Sequence, residues 1–233
     1  MKSYFKGLIL FFGIKINLYG DKQKKNVIYF CNHTSYLDIL ILGSQLNALF
    51  VAKSEIAKWP IINKLTALGK TIFVNRKQHL KARNQVSKIS KFLDSGYNII
   101  IFPEGTSGDG TRILPFKSSL FEIGMISSNK EIQVQPVSLT YTSFDGLPIN
   151  RIFRPFFAWY GSMDLIPHVW NFIGLGNCEV KLHFHEPKKA KFFSNRKEAC
   201  SYCYEKINKQ FYYDLENNAK HDKLVNIYSF KSL

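Results

Sequence analysis

The sequence predicts an α/β fold: a single domain with a mixed, largely parallel sheet flanked by helices. Three observations lead there. Short apolar runs of strand length alternate with longer runs of helical period. Polar, chemically loaded loops directly follow several of the runs. No internal repeat, low-complexity tract or linker divides the 233 residues, a length that suits one sizeable core.

At the N-terminus, the apolar run from Gly7 to Ile14 lies between Lys6 and Lys15, and its eight residues fall far short of the about 20 that span a bilayer. Asn17-Leu-Tyr-Gly-Asp21 is a poor signal-peptidase site. Two readings stand for this segment, and one segment can serve both. It is an interfacial anchor whose Lys2, Lys6, Lys15, Lys22, Lys24 and Lys25 meet anionic headgroups, or it is a first helix or strand packed on the core.

Val27 to Cys31 is a short strand, followed by a polar turn over Asn32 to Tyr36 and a helical run opening at Asp38. Phe50-Val-Ala52 is the next strand. Ser54 offers an N-cap to a helix over Ile56 to Leu68, which Gly69 ends. Thr71 to Val74 is a strand, Leu80 to Leu93 a basic amphipathic helix stopped at Ser95-Gly96, and Asn98-Ile-Ile-Ile-Phe102 a strand apolar enough to be buried on both faces. Pro103-Glu104-Gly105 turns the chain. A helix over Phe116 to Ile126 and a strand over Ile132 to Tyr141 come next. The Pro- and Gly-spaced stretch beyond them stays unassigned until a strand at Glu179 to His185, and the last helix runs from Asn195 to about Glu216. The expected organisation is a membrane-facing basic segment 1–26, a catalytic domain 27–219 and a tail 220–233.

Hydrophobic residues make up 45% of the chain, and an aromatic share of 15% points to extensive burial or contact with an apolar phase. The 32 Lys and Arg against 17 Asp and Glu give +15, a field that attracts nucleic acid, anionic lipid or an acidic carrier without choosing among them. Cys31, Cys178, Cys200 and Cys203 are too few and too scattered for a disulfide framework, so a reducing cytoplasm fits. Cys200 and Cys203 form a C-x-x-C with no second ligand pair, inside a run that reads as helix. His168, His183 and His185 have no carboxylate or thiol at ligand spacing, and no metal is expected.

Active sites in α/β sheets collect at the C-terminal ends of strands. Three loops qualify: 32–38, 75–76 and 103–111. In the first, His33 and Asp38 either cap a helix and satisfy a turn, or form a pair in which the carboxylate fixes the imidazole tautomer and the other ring nitrogen takes a proton from an alcohol. Arg76, in the second, is a surface arginine or a planar cation for phosphate or carboxylate. The third sets Glu104, Gly105 and Thr106 after a buried strand, where packing alone rarely calls for such groups. Asp109-Gly110 reads as a turn, and Lys117 as a helix start or a headgroup contact.

The order and spacing of Asn32-His-Thr-Ser-Tyr-Leu-Asp38, Gly69-Lys-Thr-Ile-Phe-Val-Asn-Arg76, Phe102-Pro-Glu-Gly-Thr106 and Val134-Gln-Pro-Val137 resemble the four blocks of the 1-acylglycerol-3-phosphate acyltransferase family. They cover about residues 27 to 142. The resemblance implies a glycerolipid-acyltransferase-like fold, with His33 as general base and Asp38 as its partner. It further implies that Arg76 and the Glu104-Gly105-Thr106 loop bind the acceptor, and that Pro136 lies near a substrate pocket. Ser107 stands where many members carry arginine, which leaves Arg112 or Lys117 to supply that phosphate contact. Thr106 to Lys117 and Phe157 to Met163 with Pro167-His168 resemble the lyso-ornithine lipid acyltransferase branch.

An enzyme of this kind moves a fatty acyl group from acyl-CoA or acyl carrier protein to a lysolipid hydroxyl, with no acyl-enzyme and no cofactor. A thioester is already activated, so deprotonation, alignment and oxyanion stabilisation suffice. The expected acceptor is 1-acylglycerol 3-phosphate, giving phosphatidic acid, with lyso-ornithine lipid as the alternative. The expected location is the cytoplasmic face of the inner membrane, peripheral or monotopic, on an anionic surface. The rival classes are weaker: a basic nucleic-acid-binding module lacks any nucleic-acid-binding motif, a catalytically silent lipid-binding relative is disfavoured by the intact His33 and Asp38 pair, and a lysophospholipid hydrolase lacks a Gly-x-Ser-x-Gly elbow.

Overall fold

A computed structural model describes residues 2–53, 71–74, 82–174 and 176–229. The helix expected at Ile56 to Leu68 and the loop carrying Arg76 lie outside them. Nine strands are found among the described residues: β1 Ile14–Tyr19, β2 Val27–Cys31, β3 Leu49–Lys53, β4 Ile72–Val74, β5 Ile99–Ile101, β6 Gln133–Phe144, β7 Leu147–Pro148, β8 Cys178–Phe184 and β9 Lys188–Lys189. The main path across the sheet is β1-β8-β6-β2-β5-β3-β4. β6, β2, β5, β3 and β4 run parallel, β8 is antiparallel to β6, and β1 is parallel to β8. The sheet is therefore mixed and largely parallel.

Helices cover both faces. On one face lie α1 (Lys2–Phe11), α2 (Leu37–Gln45) and α5 (Leu165–Ile173). On the other lie α3 (Ala82–Asp94), the short α4 (Glu122–Met125) and the long α6 (Arg196–Ser229). The apolar run at the N-terminus divides at Gly13, with φ +62: the helix before it buries Phe5 and Ile9, and the strand after it pairs with β8. α2 is apolar almost all round and correspondingly buried. α1 crosses it at Gly43, where an added Cβ would come within 2.8 Å of the Phe5 ring. Val27 to Cys31 is buried at every position, as a central strand covered on both faces must be.

The helix expected over Phe116 to Ile126 is only a 3₁₀ turn, Ser118–Phe121, followed by α4. The Lys117 N–H is spent on Pro103 O, which ties the start of that segment to the preceding loop. The unassigned stretch after β6 turns at Asp145-Gly146, both at positive φ, the chemistry of a two-residue hairpin. It then forms a 3₁₀ turn at Arg154–Phe156 and α5, with Pro167 tolerated in the first helical turn. α6 continues to Ser229 rather than ending near Glu216. Its buried Ala199, Cys203, Ile207 and Phe211 recur at four-residue steps and face the sheet, so Cys203 is a packing residue.

Candidate active site

The C-terminal ends of β2 and β5 are neighbours, with Phe30 beside Ile101, and this brings the His33 and Glu104 loops together. Asn32 prolongs β2 by one residue. Its side-chain amide donates to Leu139 O and accepts from Leu139 N–H, each at 2.8 Å, copying the backbone pairing of a strand. The chain then turns sharply enough that Asp38, in the first turn of α2, faces back onto the loop.

Asp38 is fully buried and its carboxylate is held on both oxygens. Oδ2 accepts the backbone N–H of Thr34 at 2.7 Å and of Ser35 at 3.0 Å, and lies 2.9 Å from His33 Nδ1. Oδ1 accepts the Tyr141 hydroxyl at 2.7 Å. The N-terminus of α2 adds the positive end of a helix dipole. Because a carboxylate only accepts, Nδ1 carries the proton and Nε2 is the basic nitrogen of a neutral His33. The ring lies flat on Phe102, centroids 4.0 Å apart, and its side chain stays 18% exposed, enough to meet a substrate.

Glu104 is buried beside the pair. Its Oε1 accepts His33 N–H at 2.7 Å and its Oε2 accepts Leu114 N–H at 2.8 Å. Burial pushes its pKa up to about 8; the two N–H donors pull it down, and the nearby Asp38 raises it. Both oxygens are thus committed to the backbone of two loops. Gly105 turns at φ +74 and Thr106 is exposed. The following loop wraps the histidine, with Gly108 N–H on His33 O at 2.9 Å. Gly110 sits at φ +71, and an added Cβ there would lie 3.1 Å from the Thr34 methyl, so a side chain would be strained and crowded at once. The half-buried Arg154 donates to Gly110 O. Asp109 accepts from Thr111 N–H and hydroxyl, closing the turn expected there.

A second brace comes from α5. His168 is buried, its Nε2 is 3.2 Å from Ala158 O and its Nδ1 is 3.2 Å from the Tyr36 hydroxyl. A carbonyl only accepts, so Nε2 carries the proton and Nδ1 receives the Tyr36 O–H; burial lowers the His168 pKa, in keeping with a neutral ring. Trp159 N–H donates to Thr34 O at 3.0 Å. A groove of about 380 Å³ opens alongside, lined by Pro155, Phe156, Met163, Pro167 and His168 among others.

Of the residues singled out in the sequence, His33, Asp38, Glu104 and Gly105 come together. Arg112 is exposed in the wrapping loop, near enough to Asp109 to lower its pKa together with Thr111 and Arg154. Lys117 is exposed beyond that loop, and Pro136 is buried within β6 opposite Phe30. Arg76 lies outside the described residues. Sequence reading missed Tyr141, Tyr36 with His168, and Arg154. Tyr141 left a signal: it shares a β6 face with Val137 and Leu139, and a tyrosine hydroxyl on an apolar face needs a partner.

The Acyltransferase family profile matches residues 15–140. A lyso-ornithine lipid O-acyltransferase of Rhizobium meliloti (strain 1021) is 35% identical over 205 residues, covering 86% of this chain and 70% of that protein. A 1-acyl-sn-glycerol-3-phosphate acyltransferase of Neisseria gonorrhoeae is 28% identical, over 74% of this chain and 64% of that one. Among solved structures, the 1-acyl-sn-glycerophosphate acyltransferase PlsC of Thermotoga maritima superposes with a TM-score of 0.64 at 23% identity, covering 90% of this chain and 76% of that one, a likeness of fold.

Proposed function

This chain belongs to the Acyltransferase family, and from that premise we propose that it esterifies a lysolipid hydroxyl with a fatty acyl group taken from acyl-CoA or acyl carrier protein, using His33 as general base. The observation that carries the mechanism is the His33 Nδ1 to Asp38 Oδ2 contact at 2.9 Å, with both Asp38 oxygens also bonded to the surrounding protein. Held in this way, Asp38 fixes the tautomer and ring plane of His33 and compensates the positive charge that forms on it. Nε2 takes the hydroxyl proton while the oxygen attacks the thioester carbonyl. The tetrahedral intermediate then collapses by breaking the C–S bond, and the leaving sulfur takes the proton back from Nε2. Glu104 acts here as a positioning residue, holding His33 N–H and Leu114 N–H so that two loops keep one geometry.

For the acceptor we place lyso-ornithine lipid ahead of 1-acylglycerol 3-phosphate, the reverse of the order expected from sequence. The support is the 35% identity to a protein of that name against 28% for the phosphate-directed relative, together with Ser107 where an arginine would meet phosphate. Arg76, Arg112 and Lys117 are the cations proposed for its acidic headgroup. No described helix is long and apolar enough to cross a membrane, and the proposed setting is peripheral attachment to the cytoplasmic face of the inner membrane. The test is to incubate the protein with acyl-CoA or acyl carrier protein and a panel of lysolipids and to weigh the products. Acylated ornithine lipid is expected to dominate. Preferential formation of phosphatidic acid reverses the acceptor assignment, and turnover by folded His33→Ala protein at the wild-type rate removes the mechanism.

A further inference from the structure

The topology sorts the surface into two ends. β2, β5 and β6 end where the His33 loop lies, whereas β8 and β1 begin there: Cys178 pairs with Phe144 at the close of β6, and with Ile14 at the start of β1. α1 has the same polarity as a whole. Its Lys2 reaches Gln45 O at the end of α2 remote from Asp38, so its last residues arrive at the catalytic end. There the Phe12 ring meets Phe172 of α5 at 5.8 Å.

Around this contact, large apolar side chains are left exposed on both segments. On α5, Ile166, Trp170 and Ile173 recur at helical spacing on the outer side and are 69%, 78% and 42% exposed, while His168 and Phe172 on the inner side are buried. On α1, Leu10 is 82% and Phe11 67% exposed, and Phe11 and Ile173 flank the Phe12–Phe172 contact. Patches of this kind on a monomer mark an interaction surface. The inner side of α5 is bonded through His168 to Tyr36, in the catalytic loop itself, so whatever covers the outer side sits within one helix of the chemistry.

We propose that this face docks on a phospholipid bilayer, with α5 and the end of α1 entering the headgroup boundary and the catalytic loops turned toward the lipid. Two features fit a bilayer as the occupant. Trp170 is the amphipathic ring favoured at headgroup depth. The exposed Arg112 and Arg151, which lie at the same end around Asp109 and Arg154, supply cations to meet anionic headgroups. The lysine-rich loop takes no part. Lys22, Lys24 and Lys25 lie between the end of β1 and the start of β2, so the whole of β2 separates them from the catalytic loop, about 17 Å at 3.3 Å per residue. The proposed docking surface is apolar and catalytic-side, and it leaves out Lys22, Lys24 and Lys25 of the electrostatic anchor read from the sequence.

The inference rests on the acceptor being a membrane lysolipid, and the experiment separates the two. Full-length wild type, an Ile166→Ser/Trp170→Ser/Ile173→Ser variant and a Lys22→Ala/Lys24→Ala/Lys25→Ala variant are sedimented with phosphatidylcholine vesicles, with and without phosphatidylglycerol. The α5 variant is expected to lose vesicle affinity by more than about tenfold, since three large apolar contacts go, while retaining turnover on a water-soluble short-chain lysolipid. The lysine variant is expected to bind like wild type. Wild-type affinity in the α5 variant, or loss of binding in the lysine variant, overturns the proposal. So does a wild-type dimer that the α5 substitutions dissociate, which would assign the face to a second copy. Vesicle binding through α5 without acylation of any lysolipid upholds the docking face and removes the acceptor reading instead.

Discussion

His33 Nδ1 lies 2.9 Å from Asp38 Oδ2, and on the opposite face of the same sheet His183 Nε2 lies 3.0 Å from Asp214 Oδ2. The two pairs share residue types and distance and differ in almost everything around them. Asp38 takes two backbone N–H groups from its own loop and a hydroxyl from β6, and His33 stands in a loop at strand ends. His183 sits along β8 with Tyr19 stacked over it at 4.4 Å. Asp214 reaches it from α6 and is flanked by Lys181 at 3.6 Å and Gln210 at 3.2 Å. The His183–Asp214 contact is within ion-pair reach but off the line of a hydrogen bond, since Asp214 Oδ2 makes none. A histidine beside a carboxylate is a candidate for proton transfer only where the carboxylate fixes the ring's tautomer, as Asp38 does and Asp214 does not. The second pair ties a long helix to the sheet.

The largest expected effect breaks the comparison if it fails. His33→Ala is expected to lower acyl transfer by about 10²- to 10⁴-fold, the range for losing a general base, in protein that remains folded. His183→Ala is expected to keep turnover within a few-fold and to cost about 0.5–3 kcal/mol of stability, because a ring stacked on Tyr19 and within ion-pair reach of Asp214 is lost. Thiol release from the acyl donor and thermal denaturation read the two quantities separately. Comparable losses of turnover in both variants would make the second pair part of the catalytic machinery.

Tyr141 sharpens the same contrast, since only the first aspartate has a buried hydroxyl fixing its second oxygen. A hydrogen bond to a charged acceptor is worth about 1.5–3 kcal/mol, and the part that counts for rate is the part that grows as His33 becomes cationic. Tyr141→Phe is expected to reduce kcat about tenfold with KM unchanged. Steady-state kinetics check this, and a rise in KM at constant kcat would place Tyr141 in substrate binding instead.

The contrast also accounts for what the sequence disclosed. His33 and Asp38 are five residues apart in one strand-to-helix loop, so local spacing announced them, and the apolar strand Ile99–Ile101 announced the loop of Glu104. Parallel pairing of β2 with β5 then brought the two loops together, as strands followed by functional loops in an α/β fold predict. Tyr141 and His168 reach the same loop from more than a hundred residues away, and no local period encodes which strand or helix will face it. The side of the molecule on which a lysine falls is equally non-local. Lys22 and Lys6 look alike along the chain, but β1 carries one of them to the far end of the sheet. Asp214 and His183 were unreadable as partners for the same reason, and α6 could not be docked on β6 from its polar composition.

The smallest effect concerns pH and the second cluster alone. His185 extends that cluster, with Nε2 2.6 Å from Ser138 Oγ, and burial together with the nearby His183 and Lys206 lowers its pKa to about 4, against the pull of Asp214. The unfolded chain binds a proton at this residue near pH 6.5, the folded one near 4. Between these values the unfolded state holds more protons, so stability falls as pH drops from about 6.5 toward 4 and this contribution falls no further below. After allowance for the water that still reaches the ring, roughly 1 kcal/mol of it should be measurable. His185→Gln removes the titrating group, so the difference in unfolding free energy between wild type and variant is expected to shrink or change sign across that window and to be flat above pH 7. Urea denaturation at a series of pH values measures it. A difference that stays constant from pH 7 to pH 4 would mean that His185 is no more reluctant to take a proton than in the unfolded chain, and that burial does not set the charge of this cluster.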